Sequence, residues 1–191
     1  MKRNLLVILF VTLIMSYTSA FASGQENVVN GKPGVIEAVV MKLQATVETI
    51  DHENRKVTLK GPEGKTVTID VEERVKNLSQ VEVGDMVTVE YVEAVSIQVF
   101  AEGEIEPGSN AVAAEVSAEL GQKPAGVEME EITVVATIEA IDKAQQLVTL
   151  KGAAGNSKTV KARNPENLEK VNVGDKVMIT YTTVLGISVT E

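Results

Sequence analysis

Residues 45–61 read ATVETIDHENRKVTLKG, and residues 136–152 read ATIEAIDKAQQLVTLKG. Ten of these seventeen positions are identical, at an offset of 91 residues. Farther along, NLSQVEVGDMVTVEYVEAVSIQV at 77–99 returns as NLEKVNVGDKVMITYTTVLGISV at 167–189, now at an offset of 90 and with ten of twenty-three positions shared. A net change of one residue in the loops between the blocks accounts for the difference. The chain carries one small unit twice, and repetition at a fixed spacing constrains the fold before any local reading does.

Within each copy the apolar period is two, as in half-buried strands. Val57 and Leu59 alternate with Thr58 and Lys60, and Val67, Ile69 and Val71 with Thr68 and Asp70. Val87, Val89 and Tyr91 follow, then Val95, Ile97 and Val99. The second copy repeats the pattern with Val148 and Leu150, then Val177, Ile179 and Tyr181, then Leu185, Ile187 and Val189. A long strand precedes each set, about Val39–Ile50 and Ile132–Ile141. Val, Ile and Thr suit a pleated surface, and with no Trp or Cys and 3% aromatics the core must be aliphatic. Five strands in about 60 residues are too few for a two-sheet sandwich, so the predicted fold is all-β with two tandem five-stranded OB-like or SH3-like small barrels, at 35–101 and 128–191.

Turn chemistry fits this reading. Gly61-Pro62-Glu63-Gly64 and Gly152-Ala153-Ala154-Gly155 are hairpin turns. Gly84-Asp85 and Gly174-Asp175, each after a valine, form tight turns into the fourth strand, and these four residues read as structural. Between the units, residues 102–127 form an acidic linker, with Pro107-Gly108 and Pro124-Ala125-Gly126 as breaks. Asn110–Leu120 is Ala- and Glu-rich, which predicts a short helix or a solvated spacer.

The first residues, MKRNLLVILFVTLIMSYTSAFASGQ, carry Lys2 and Arg3 ahead of an apolar core from Leu5 to Met15. That core is short for a membrane span and has the length of a signal-peptide core, and Ala20-Phe21-Ala22 places small residues where a signal peptidase cuts. Cleavage after Ala22 is expected, leaving residues 23–34 as a flexible N-terminal segment. The mature protein is then periplasmic or secreted, with no stable membrane insertion, and the absence of Cys excludes a lipid anchor at the cleavage point.

Charge narrows the function. Beyond Ala22 the chain has 16 basic and 27 acidic side chains, net −11. Nucleic acid calls for a basic groove with stacking aromatics, so it is not an expected partner. His52 is the only histidine and sits in a turn with no nucleophile motif nearby, so no catalytic residue and no enzyme activity is predicted. With one His and no Cys, a zinc site is not expected. No cofactor is implied. Positive charge is concentrated at Lys151, Lys158, Lys161 and Arg163, around the second and third strands of the second unit, which makes these four a candidate interaction surface. The acidic linker and first unit are expected to lie against them.

Together, the strand blocks and the two VGD turns resemble a widespread family of uncharacterised exported bacterial proteins with tandem small β-barrel (OB-like) repeats. The resemblance covers most of the mature chain and implies no active-site residues. More distantly, export and acidity are similar to those of periplasmic OB-fold stress proteins thought to bind cationic small molecules. The expected function is a non-catalytic periplasmic binding or interaction protein for a protein partner or a cationic small ligand. The alternative is a metal-handling module like the small periplasmic copper chaperones, which share the barrel and the VGD turn; their paired methionines with an adjacent aromatic are missing here.

Overall fold

The computed structural model describes residues 18–191. The expected signal peptide lies outside them, except that the backbone of Thr18–Ala22 opens the first strand. Ten strands follow: β1 (Thr18–Val29), β2 (Lys32–Asp51), β3 (Lys56–Lys60), β4 (Thr66–Asp70), β5 (Met86–Phe100), β6 (Gly108–Ser117), β7 (Ala125–Asp142), β8 (Leu147–Lys151), β9 (Ser157–Lys161) and β10 (Lys176–Thr190). They form one antiparallel sheet in the order β4-β3-β2-β5-β10-β7-β8-β9, with β1 added to β2 and β6 added to β7. The all-β expectation holds.

Two separately closed barrels do not form, because the long strands outrun a single unit. β5 and β10 pair along their full length, from Lys176 opposite Phe100 to Thr190 opposite Met86. Midway, Glu93 faces Thr183, its own counterpart in the repeat. A pseudo-twofold axis therefore runs through the centre of the sheet and relates β1–β5 to β6–β10. The sheet stays open, since β5 and β10, the last strand of each half, pair with each other instead of closing on their own halves.

This pairing exchanges core residues. One apolar cluster contains Ala45, Val47, Val57, Leu59, Leu78 and Val81 from the first half, together with Val189 from the second. The other contains Ile138, Leu168, Val171 and Val177 from the second half, together with Val99 from the first. Val99 and Val189 are equivalent in the repeat. Each half thus completes its neighbour's core with the end of its own last strand. Short 3-10 turns at Leu78–Gln80 and Pro165–Glu169 drive Leu78 and Leu168 into the two clusters.

The VGD turns act as local anchors. In β2 the ladder to β3 shifts register between Val47 and Thr49, skipping Glu48 and bending the strand just past Val47. Val47 N donates to Asp85 O at 2.8 Å, and Gly84 N donates to Val47 O at 2.9 Å. Ile138, Gly174 and Asp175 repeat the arrangement at 2.8 and 2.9 Å. The turn needs a left-handed residue at its third position, and Gly84 and Gly174 supply φ of 102° and 101°.

Two segments differ from their sequence reading. Asn110–Leu120 is not a helix: most of it lies in β6, whose register against β7 runs from Gly108 opposite Val135 to Ser117 opposite Gly126. Ala and Glu are good helix formers, but propensity amounts to less than about 1 kcal/mol per residue, and a ladder along an open edge of β7 outweighs it. Residues 23–34 likewise form the end of β1, a turn at Asn30-Gly31 with φ of 50° and 77°, and the start of β2. Asn-Gly is the pair best suited to a two-residue hairpin turn with positive φ.

Candidate functional site

Polar contacts across the pseudo-twofold axis come first, because they fix the surfaces around them. Lys32, just before β2 leaves its turn, places Nζ 2.5 Å from Asp175 Oδ2. Its repeat equivalent Lys123 places Nζ 2.6 Å from Asp85 Oδ2. Each lysine thus reaches the VGD turn of the opposite half, and both carboxylates are 5% exposed. Asp85 also accepts from Glu82 N at 2.9 Å, and Asp175 from Asn172 N at 2.8 Å. Burial opposes the charge on Asp85, but the hydrogen bond and charge of Lys123 and the Glu82 N–H outweigh it and lower its pKa. Gly84, Asp85, Gly174 and Asp175 lie in the two turns, and the two aspartates lock one half to the other.

A second reciprocal set involves arginines. Arg163, after β9, pairs with Glu37 of β2. Arg74, in the equivalent loop of the first half, lies 3.7 Å from Glu128 of β7, the repeat counterpart of Glu37. Arg74 also pairs with Glu72 at 2.8 Å and Glu115 at 3.3 Å. Partial burial opposes its charge, yet the three carboxylates raise its pKa.

The four predicted basic residues are not gathered into one patch. Lys151, at the end of β8, pairs with Glu139 of its own half at 3.3 Å. On the edge strand β9, strand alternation puts Lys158 opposite Leu150 on the core side, whereas Lys161 lies on the same side as Lys151. Neither Lys158 nor Lys161 makes an ion pair among the described residues. Only Arg163 joins the two halves. His52 is exposed in the turn between β2 and β3.

Around Arg74 the sheet forms a groove of about 460 Å³. Leu185 and Ile187 of β10 and Gly126 of β7 form its floor, with Val75 on one wall and Leu120 and Pro124 on the other. Leu120 is 78% exposed and Ile187 43%, so apolar surface is presented to solvent here. Gly126 opens the floor. Val35 occupies the equivalent place in β2, and a Cβ on Gly126 would stand 3.2 Å from Val116 O. The charged groups lining it are Arg74 and Lys76 against Glu115 and Glu128, and Glu72 pairs with Arg74 from outside the lining.

Beside the groove, Tyr91 is the β5 partner of Leu185. Tyr181 Oη donates to Glu93 Oε1 at 3.0 Å, and Tyr91 joins this cluster through hydrogen bonds to Tyr181 and Glu93. Partial burial, Glu93 and Tyr91 push the Tyr181 phenol up to about 12, and the Tyr91 phenol is raised as well. Both phenols are protonated at neutral pH.

Sequence reasoning missed the groove, and also the lysines behind the ion pairs. The signal was present: Lys32-Pro33 and Lys123-Pro124 stand at the repeat offset of 91, inside the segments read as tail and linker. Met41, Met86, Met129 and Met178 lie on four different strands, and no two are cross-strand partners. Among the described residues no group of three His, Cys, Asp or Glu is placed to hold a metal ion.

Comparisons with known proteins leave the geometry to speak alone: no family model, no curated protein and no solved structure matches the chain.

Proposed function

We propose that the chain is a non-catalytic binding protein of the bacterial envelope, and that the Arg74 groove takes an apolar ligand bearing a cationic group. One observation carries this reading: a groove of about 460 Å³ with an exposed aliphatic floor and a mouth where three carboxylates share one arginine. Its size falls within the roughly 300–1,000 Å³ usual for small-molecule sites. The aliphatic floor supplies non-directional affinity. The mouth favours a cation because Arg74 is already engaged by Glu72, Glu115 and Glu128. The Tyr91, Tyr181 and Glu93 cluster offers a further cation-accepting surface next to Leu185. Export, expected from residues 1–22, puts such a protein where amphiphiles enter a cell.

Calorimetry on the purified protein tests this with three amphiphiles of equal tail length: dodecyltrimethylammonium, dodecyl sulfate and dodecyl maltoside, each below its micellar concentration. The cationic one binds with one-to-one stoichiometry and the others at least about tenfold more weakly, a difference of about 1.4 kcal/mol. Gly126→Val, which copies Val35 of the other half, abolishes binding and leaves the fold intact. Equal affinity for all three, or undiminished binding by the variant, would overturn the reading.

A further inference from the structure

β1 and β6 occupy equivalent places, each as the strand added outside a long strand of the sheet. Their fates differ if the leader is removed. Cleavage after Ala22 takes away Thr18–Ala22, the part of β1 that pairs with Ala38–Lys42 of β2. The rest of β1 remains, with Gln25–Val29 opposite Lys32–Ile36. On the same side of β2, β3 begins at Thr46. A slot opens between them, bounded by β1 at one end and β3 at the other, while β5 covers the far side of β2 from Gly34 to Thr46.

In the second half this slot is filled. Asn110–Ala114 of β6 pairs with Met129–Thr133 of β7, the repeat equivalent of Ala38–Lys42. The filled place and the vacated one also differ in chemistry. β7 carries Glu130 and Glu131 where β2 carries Val39 and Val40. An edge that stays open in solution is normally blunted by charge, proline or a bulge, because its free N–H and C=O groups template pairing with other chains. Ala38-Val39-Val40-Met41 has none of these, and Lys42 is paired to Glu90 at 2.7 Å.

From this we infer that the mature protein accepts a partner's strand on β2: an uncharged, extended chain end of about five residues, antiparallel to Ala38–Lys42, takes the place that Thr18–Ala22 leaves. β6 is the internal pattern for it, with small side chains at Ala111, Ala113 and Ala114. Main-chain hydrogen bonds hold such a strand, and alternate side chains set its preference. A second copy's β2 does not fit, since a strand running through the slot collides with β1 at one end and β3 at the other. The occupant must end within the slot, as a terminal peptide does. The inference is separate from the amphiphile groove but rests on leader cleavage.

Hydrogen exchange on the mature chain starting at Ser23 tests it, with two synthetic peptides as probes: SYTSAFA, residues 16–22, and GSNAVAA, residues 108–114. Without peptide the amides of Ala38–Lys42 exchange faster than those of Met129–Thr133. Either peptide slows them by about tenfold or more, and peptides methylated on alternate amide nitrogens do not. A Val40→Lys chain, with its central sheet still protected, binds both peptides more weakly. Equal protection of the two segments before peptide is added overturns the inference, as does a mature chain that dimerises with Ala38–Lys42 protected. N-terminal sequencing of envelope material reports on cleavage independently: a Met1 start removes the slot and leaves the groove untouched.

Discussion

The two halves of the sheet are built alike and finished differently. Both anchor a VGD turn on the bulge of their longest strand, both send a lysine to the other's aspartate, and both lend a valine to the other's core. The first half has a bulky floor at Val35 and an apolar edge at Val39-Val40. The second has Gly126 and Glu130-Glu131. What the halves share is the apparatus that holds them together, and what they do not share lies on the surface, at a groove and at an edge. Duplication preserved the contacts on which both copies depend and left the outer positions free to diverge.

The largest expected effect comes from breaking the core exchange. Val189→Asp buries an unpaired carboxylate in the cluster of the first half, although the residue belongs to the second. It should cost several kcal/mol, and native-state hydrogen exchange should show β3 losing protection before β8 does. Val99→Asp should invert the order. If each substitution loosened only its own half, the exchange of cores would be wrong.

A smaller effect follows from the cross-half lysines. Lys123→Met leaves Asp85 with only the Glu82 N–H as partner and should lower stability at neutral pH, by less than the core substitutions do. The sign with pH is set by the lowered pKa of Asp85. A depressed carboxylate pKa adds stability above the ordinary value of 3.8, and this is lost as pH falls through the lower folded value. Denaturant melts of wild type and variant should therefore differ most at neutral pH and converge in acid. A gap that persisted unchanged in acid would mean the lysine acts by packing alone.

The smallest effect is at the pseudo-twofold axis, where the halves meet with unlike residues, Glu93 and Thr183. Glu93→Gln removes the carboxylate that helps hold Tyr181 at about 12. Ultraviolet titration should find both tyrosines ionising at lower pH, with Tyr181 still above the ordinary phenol because burial and Tyr91 remain. Stability should change by less than about 1 kcal/mol. An unmoved Tyr181 titration would exclude Glu93 as a cause.

Local structure was legible in the sequence wherever one periodicity acted alone. Alternating Val57 and Leu59, or Val67 and Ile69, could be read as strands because their faces see one core. Gly84 and Gly174 could be read as turns because only backbone geometry decides them. The relation between the copies was not legible. Nothing in VSIQV or ISV distinguishes a strand end packing at home from one packing next door, since Val99 and Val189 are buried either way. Asn110–Leu120 misled for a related reason: its Ala and Glu content reports helix preference, while the neighbouring edge of β7, distant from any local signal, decides the outcome. The groove escaped notice because it arises from one missing side chain, that of Gly126, at a place assembled from three separate segments.

Val189 lies more than a hundred residues beyond residues 45–81, yet it closes the core that they lay down. The first half therefore cannot reach its stable state until β10 has been made. Loop closure over more than a hundred residues must precede the last burial, which makes folding slow and strongly non-local. If the chain is exported as proposed, it is threaded through a membrane before it folds, and that delay is useful. The chain carries its own brake, in the form of a final strand that both halves wait for.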